Sequence, residues 1–243
     1  MKHLKTIISV LVLLAAVSCA KTPSAGSGQV SFKVSSNQQV ADMTKSNVSD
    51  YTTNPSAEDF SIVVTGPEEY KWNGKITDWN VETILLEGEY SVTANYGDLE
   101  DEGFDKPFYT GTQSFTIQGG QNTEVSIPVS LGNTIVKIAC SESFQKYYKD
   151  YTFKLSRTGY EIATIAKDET KAVFIDGYSV TLSGTLTSES KTYQFSKSYS
   201  DLSPATAYTF MIDVSNVGGG AITITFKDGY SETVDLGDYE LND

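Results

Sequence analysis

Residues 85–138 read LLEGEYSVTANYGDLEDEGFDKPFYTGTQSFTIQGGQNTEVSIPVSLGNTIVKI, and this stretch decides the fold class. Tyr90, Val92, Ala94 and Tyr96 alternate with Glu89, Ser91, Thr93 and Asn95, the period of a strand with one buried face. A Gly119-Gly120-Gln121-Asn122 turn follows Phe115 and Ile117, and the alternation returns at Val125, Ile127, Val129 and Leu131. One strand, an acidic loop and two further strands make half of an all-β sandwich.

Beyond Leu131 the plan starts again. Gly88-Glu89-Tyr90-Ser91-Val92-Thr93 in the first half is matched by Gly177-Tyr178-Ser179-Val180-Thr181 in the second. Each is followed by an aromatic strand, with Phe115 in one and Tyr193 and Phe195 in the other. Each then has a longer alternating strand, Val125 to Leu131 and Tyr208-Phe210-Ile212-Val214. Elements that recur in order imply two consecutive antiparallel β-sandwich domains of immunoglobulin or transthyretin type, 28–131 and 132–243. Tyr90, Val92, Val125 and Ile127 are expected in the first core, and Tyr178, Val180, Phe210, Ile212 and Ile224 in the second. Phe144, Tyr147, Tyr148 and Tyr151 fall at i, i+3, i+4 and i+7, a helical stripe expected to pack on the sheet edge.

Upstream, residues 1–18 read as an export signal. Lys2 and Lys5 precede the apolar run from Ile7 to Val17, which is too short to span a bilayer comfortably. Ala16-Val17-Ser18-Cys19 resembles a bacterial lipobox, with Ala16 where leucine is usual. Cys19 is then the lipidation site, and several acyl chains on one residue hold a protein at a membrane durably. Residues 19–27 are small and polar, as in a tether that lifts a domain off a membrane. An outer-membrane location follows as the expectation, at the cell surface or on the periplasmic face. Val30, Phe32 and Val34 form a first strand, and the polar stretch 35–56 reads as a mobile connection.

The composition excludes more than it assigns. The chain of 243 residues has a net charge of −13, or about −15 once Lys2 and Lys5 leave with the signal, and one arginine, Arg157. Nucleic acid and anionic lipid surfaces are poor partners for such a chain. Its only histidine, His3, lies in the signal, so the mature chain lacks a Ser-His-Asp triad, a Cys-His pair and any imidazole ligand. With Cys19 lipidated, Cys140 has no intrachain partner; it alternates with Val136 and Ile138, the setting of a buried strand thiol. No cofactor is implied, and the chain reads as a non-enzyme.

Two stretches admit a ligand. Tyr70, Trp72 and Trp79 form either an aromatic platform for stacking on sugar rings or a cap on the sandwich core, the commoner fate of tryptophan. Asp98, Glu100, Asp101 and Asp105 could serve Ca²⁺ around a bend at Gly103, but their spacing fails the EF-hand pattern, and such a run is commonly a solvated loop.

Tyr90 to Gly97, Gly103 to Gly111, Leu131-Gly132-Asn133 and Phe144 to Tyr151, joined to the lipobox, resemble a family of Bacteroidetes lipoproteins whose label carries no activity. More distantly, the architecture is similar to fimbrial (pilus) subunits and accessory adhesins of the same bacteria. That similarity implies a structural or adhesive surface subunit, with other subunits as partners through strand donation and with a cleavable leash. Those subunits are cut after a basic residue; no arginine precedes the sandwich here, which leaves Lys45 as the cleavage position. The competing expectation is an anchored module that binds glycans or host proteins.

Overall fold

The computed structural model describes residues 26–41, 46–189, 191–215, 220–226 and 230–236. Cys19 and Lys45, the expected lipidation and cleavage positions, lie outside the described residues.

The chain is all-β with one short helix, arranged as two sandwiches. The first half supplies β1 (Ser27–Asn37), β2 (Ser61–Thr65), β3 (Lys71–Lys75), β4 (Leu85–Leu86), β5 (Gly88–Tyr96), β6 (Gly103–Phe104), β7 (Tyr109–Ile117) and β8 (Asn122–Leu131). The second supplies β9 (Thr134–Cys140), helix α1 (Glu142–Tyr147), β10 (Asp150–Arg157), β11 (Tyr160–Ala166), β12 (Val173–Ile175), β13 (Val180–Thr187), β14 (Thr192–Tyr199), β15 (Ala207–Val214), β16 (Ala221–Phe226) and β17 (Tyr230–Asp235).

In the first half one sheet runs β3-β2-β5-β7-β8-β1-β4. It folds over at the join between β7 and β8, which are paired only at Tyr109↔Leu131 and Thr110↔Ser130. At that corner a side chain on Gly111 would collide with the Pro128 carbonyl, so only glycine lets the two backbones approach. The two arms enclose one cluster, with Ile62, Val92 and Ala94 from one side and Val30, Val125 and Ile127 from the other. The second half forms two sheets, β11-β10-β13-β14 and β17-β16-β15-β9-β12-β6. They enclose a second cluster that includes Val180, Phe210, Ile212 and Ile224.

The duplication read from the sequence recurs in the strand pairing. In each half the first strand runs parallel to a late one, β1 with β8 and β9 with β15. It also pairs antiparallel with a short one, β4 or β12. The second strand lies between the third and the next long one, β2 between β3 and β5, and β10 between β11 and β13. Val92 and Val180, matched in the sequence repeat, are both buried.

Tyr178 departs from the pattern. It was expected in the second core, but it precedes β13 and is 67% exposed, whereas its counterpart Tyr90 is 4% exposed. The alternation continues past the end of the strand, where the ring is left exposed.

The aromatic stripe also divides. Ser141 caps α1 by accepting from the Phe144 N–H at 3.1 Å, and Phe144 is buried. The helix stops at Tyr147, because the Lys149 N–H bonds to the Thr187 carbonyl at 2.8 Å and draws the chain into β10. Tyr148 and Tyr151 are buried too, the latter from a strand rather than a helix.

The connection 35–56, expected to be mobile, is anchored in its described parts. Val40 and Val48 are buried in the first cluster. The Ala41 N–H donates to the Ala205 carbonyl at 2.9 Å, and its own carbonyl accepts from the Ala207 N–H at 3.0 Å. Two valines in a polar stretch are too few for a periodic signal, yet each is enough to pin a loop to a core.

Candidate functional site

Strand β1 is the element on which function can turn. It is bonded to β8 in a continuous parallel register from Gln29↔Asn122 to Asn37↔Ser130. On its other edge it meets β4 only at Ser27↔Leu86 and Gly28↔Leu85. Beyond that point a side chain replaces the missing strand: Trp79 Nε1–H donates to the Val30 carbonyl at 2.8 Å. The Trp79 ring also meets Phe32 edge-on, with centroids 5.0 Å apart. Val30 and Val34 point into the core, so β1 is held by the β8 ladder, a two-pair contact with β4, one indole and two alternating side chains.

This arrangement decides the aromatic trio. Trp79 is 7% exposed, its N–H used and its ring enclosed, because burying an indole is favourable once that donor is satisfied. Trp72 is half-buried, edge-on to Trp79 at 5.1 Å, and Tyr70 packs edge-on to Tyr90 at 6.0 Å. A flat three-ring platform of Tyr70, Trp72 and Trp79 is therefore not presented to solvent.

The acidic loop is a strap between the two halves. Gly103 and Phe104 form β6, which pairs with Phe174 and Val173 at the outer edge of the second half's six-stranded sheet. Beside it, the nearly buried Glu102 accepts from the Asp176 N–H at 2.6 Å and pairs with Arg157 Nη2 at 3.2 Å. Arg157 in turn reaches Asp176 Oδ2 at 3.3 Å and the Asp176 carbonyl. Burial raises the Glu102 carboxyl above its ordinary value, against the opposing pull of the Asp176 N–H and Arg157.

Three of the four carboxylates of the calcium reading, those of Asp98, Asp101 and Asp105, are otherwise engaged. Asp98 accepts from the Glu100 N–H at 3.0 Å, Asp101 pairs with Lys106 at 2.6 Å, and Asp105 pairs with Lys171 at 2.6 Å. Among the described residues no three His, Cys, Asp or Glu side chains converge as a metal site would need. The strap itself left no sequence signal except that Arg157 is the sole arginine in an acidic chain.

Cys140 sits half-buried on β9, and burial pushes its thiol up to about 12, far from a reactive thiolate. No described helix is long and apolar enough to cross a membrane.

These features define a double β-sandwich with a braced first strand and an acidic strap. The chain belongs to the family described as a domain of unknown function, DUF4493, whose pattern matches residues 26–236. No curated protein matches it. Among solved structures it is similar to a candidate cell adhesion protein from Bacteroides ovatus, with 12% identity, a TM-score of 0.47 and coverage of 89% of this chain and 100% of that one. A fimbrial assembly protein from Parabacteroides distasonis gives 9%, 0.46, 86% and 99% in the same order. Candidate polysaccharide binding proteins from Bacteroides thetaiotaomicron give 12%, 0.43, 86% and 98%.

Proposed function

We propose that the mature chain is a non-enzymatic surface subunit of structural or adhesin type, anchored in the outer membrane through Cys19, with β1 as its exchangeable element. The observation that carries this reading is the seating of β1. One strand lies between a full parallel ladder on β8 and an edge closed chiefly by Trp79. Backbone hydrogen bonds supply affinity for any strand of the right pattern, and the pockets of Val30 and Val34 supply selectivity. If β1 leaves, β8 keeps an unpaired edge flanked by open core, which strongly favours a replacement strand. The leash between β1 and β2 contains Lys45, where a cut would sever the covalent link to β2, so that β1 could leave once Val40 and Ala41 let go of their partners. The absence of histidine from the mature chain supports the non-enzymatic part.

The test cuts the chain at Lys45 and follows both oligomer size and strand exchange. The nicked protein, with β1 still seated, should take up a labelled Ser27–Asn37 peptide and form larger species as β1 departs. A nicked protein that stays monomeric, stays folded and takes up no peptide refutes the assembly reading and leaves an anchored binding module. Anchoring is tested separately. Cys19→Ser should abolish acyl labelling and release the chain to the soluble fraction, and unchanged acylation refutes the anchor.

A further inference from the structure

The two halves can be compared position by position, because they share one pairing scheme. In the first, the last residue of β1 paired to β4 is Gly28, and the carbonyl two residues on, at Val30, is capped by Trp79 from the β3–β4 connection. In the second, the last residue of β9 paired to β12 is Val136, so Ile138 is the counterpart of Val30. The β11–β12 connection, residues 167–172, carries no aromatic residue. Accordingly Val30 is 2% exposed, while Ile138 is only partly buried. A slot of about 240 Å³ opens there, lined by Ile138, Cys140, Tyr151 and Phe153 and rimmed by Lys137 and Lys167. Glu169 lies on the same rim. The first half thus shows what fits such a place: an aromatic ring with a hydrogen-bond donor aimed at the edge carbonyl.

Tyr178 is a ring of that kind. Among the described residues it is the most exposed of the large apolar and aromatic side chains, at 67%, although its sequence counterpart Tyr90 is buried with its hydroxyl bonded to the Leu86 carbonyl at 3.0 Å. The Tyr178 carbonyl accepts from the Leu202 N–H at 3.1 Å, which fixes the turn that presents the ring and sets Asp201 beside it. Strand direction puts ring and slot at opposite ends of the second sandwich. β9 runs towards the slot, whereas β12 runs antiparallel to it and delivers Tyr178 at the far end.

We propose that Tyr178 of one copy enters the Ile138 slot of a second copy, with its O–H on the Ile138 carbonyl as Trp79 N–H sits on Val30. A knob and a hole at opposite ends of one body make a heterologous contact, which propagates into a ring or an open filament rather than closing as a two-fold dimer. Lysines on the slot rim and Asp201 beside the knob give the contact a favourable charge pairing, Asp176 being already matched by Arg157. The inference deepens the assembly reading but needs no departure of β1.

The experiment uses the uncut chain from Ala20 onward, with sedimentation velocity at rising concentration. Wild type should pass from one copy through two to larger species. Tyr178→Ala, which alters only an exposed ring, and Thr170→Trp, which supplies a plug from the β11–β12 connection, should each stay single. Mixed together they should form a 1:1 pair that does not grow, since one keeps the slot and the other the knob. Ile138→Lys is a second slot variant in case the indole does not seat. A wild type that stays single throughout, a Tyr178→Ala that associates like wild type, or slot variants that both do so would overturn the contact. Because the chain is uncut, those failures leave strand exchange at β1 standing.

Discussion

At the scale of single residues, Trp79 and Glu102 carry more than their neighbours. Trp79→Phe keeps a ring against Phe32 but removes the donor on the Val30 carbonyl, leaving a buried acceptor unpaired at a cost of about 1–2 kcal/mol. Trp79→Ala adds a cavity and should cost about 3–5 kcal/mol, which urea unfolding would measure. If the phenylalanine variant is as stable as wild type, the indole is packing and not a brace. For Glu102, burial raises the folded-state pKa above the unfolded one. The folded chain therefore holds that proton more tightly, and the associated stability is complete below the unfolded pKa and is lost as pH rises through the folded one. Glu102→Gln keeps an acceptor for the Asp176 N–H and removes the charge, so it should match wild type in acid and equal or exceed it at neutral pH. Glu102→Ala should lose about 2 kcal/mol at neutral pH, less than a fully buried pair would, since Arg157 keeps Asp176. Thermal denaturation across pH reads both, and a glutamine variant markedly weaker at neutral pH would show that the ion pair outweighs its desolvation.

At the scale of elements, α1 rests on its cap. Ser141 Oγ accepts from the Phe144 N–H and also donates to Asp213, whose carboxyl is held below its ordinary range by the Ser141 and Ser143 hydroxyls. Ser141→Ala should cost about 1 kcal/mol and fray the turn that buries Phe144, seen as faster amide exchange at Phe144 and Gln145. Unchanged exchange there would mean that packing alone holds the helix. Which elements were legible follows from their length and exposure. β5, β8, β15 and β16 alternate over six or more residues with one face buried, so their period is plain. β6 is two residues long and has no period to read, so the strap looked like a run of carboxylates. The Phe144 to Tyr151 stripe has helical spacing and is buried, but burial is indifferent to whether a helix or a strand delivers it. Trp79 was readable as core from its residue type; its bond to Val30, 49 residues away, was not.

At the scale of the whole molecule, the two sandwiches share one pairing scheme yet do not stand apart, and contacts cross the Gly132 region in both directions. β6 of the first half completes a sheet of the second, while Ile135, Ala172 and Phe174 of the second half pack into the first cluster. Buried Asn133 sits at the crossing, its side-chain oxygen accepting from the Phe108 N–H and its carbonyl from the Ala205 N–H at 2.8 Å. Separating the halves would expose Ile135 and Phe174, both fully buried, and strip the β12 edge of its partner. Coupling of this kind favours one cooperative transition over two. Calorimetry of the chain from Ala20 should show a single peak, and residues 132–243 alone should lack the near-ultraviolet signature of fixed tyrosine packing. Glu102→Ala loosens the strap without touching either cluster, so it is the variant in which two transitions should first separate. Two well-resolved peaks in wild type, or a folded second half on its own, would show that each sandwich carries its own stability and that the strap merely joins them.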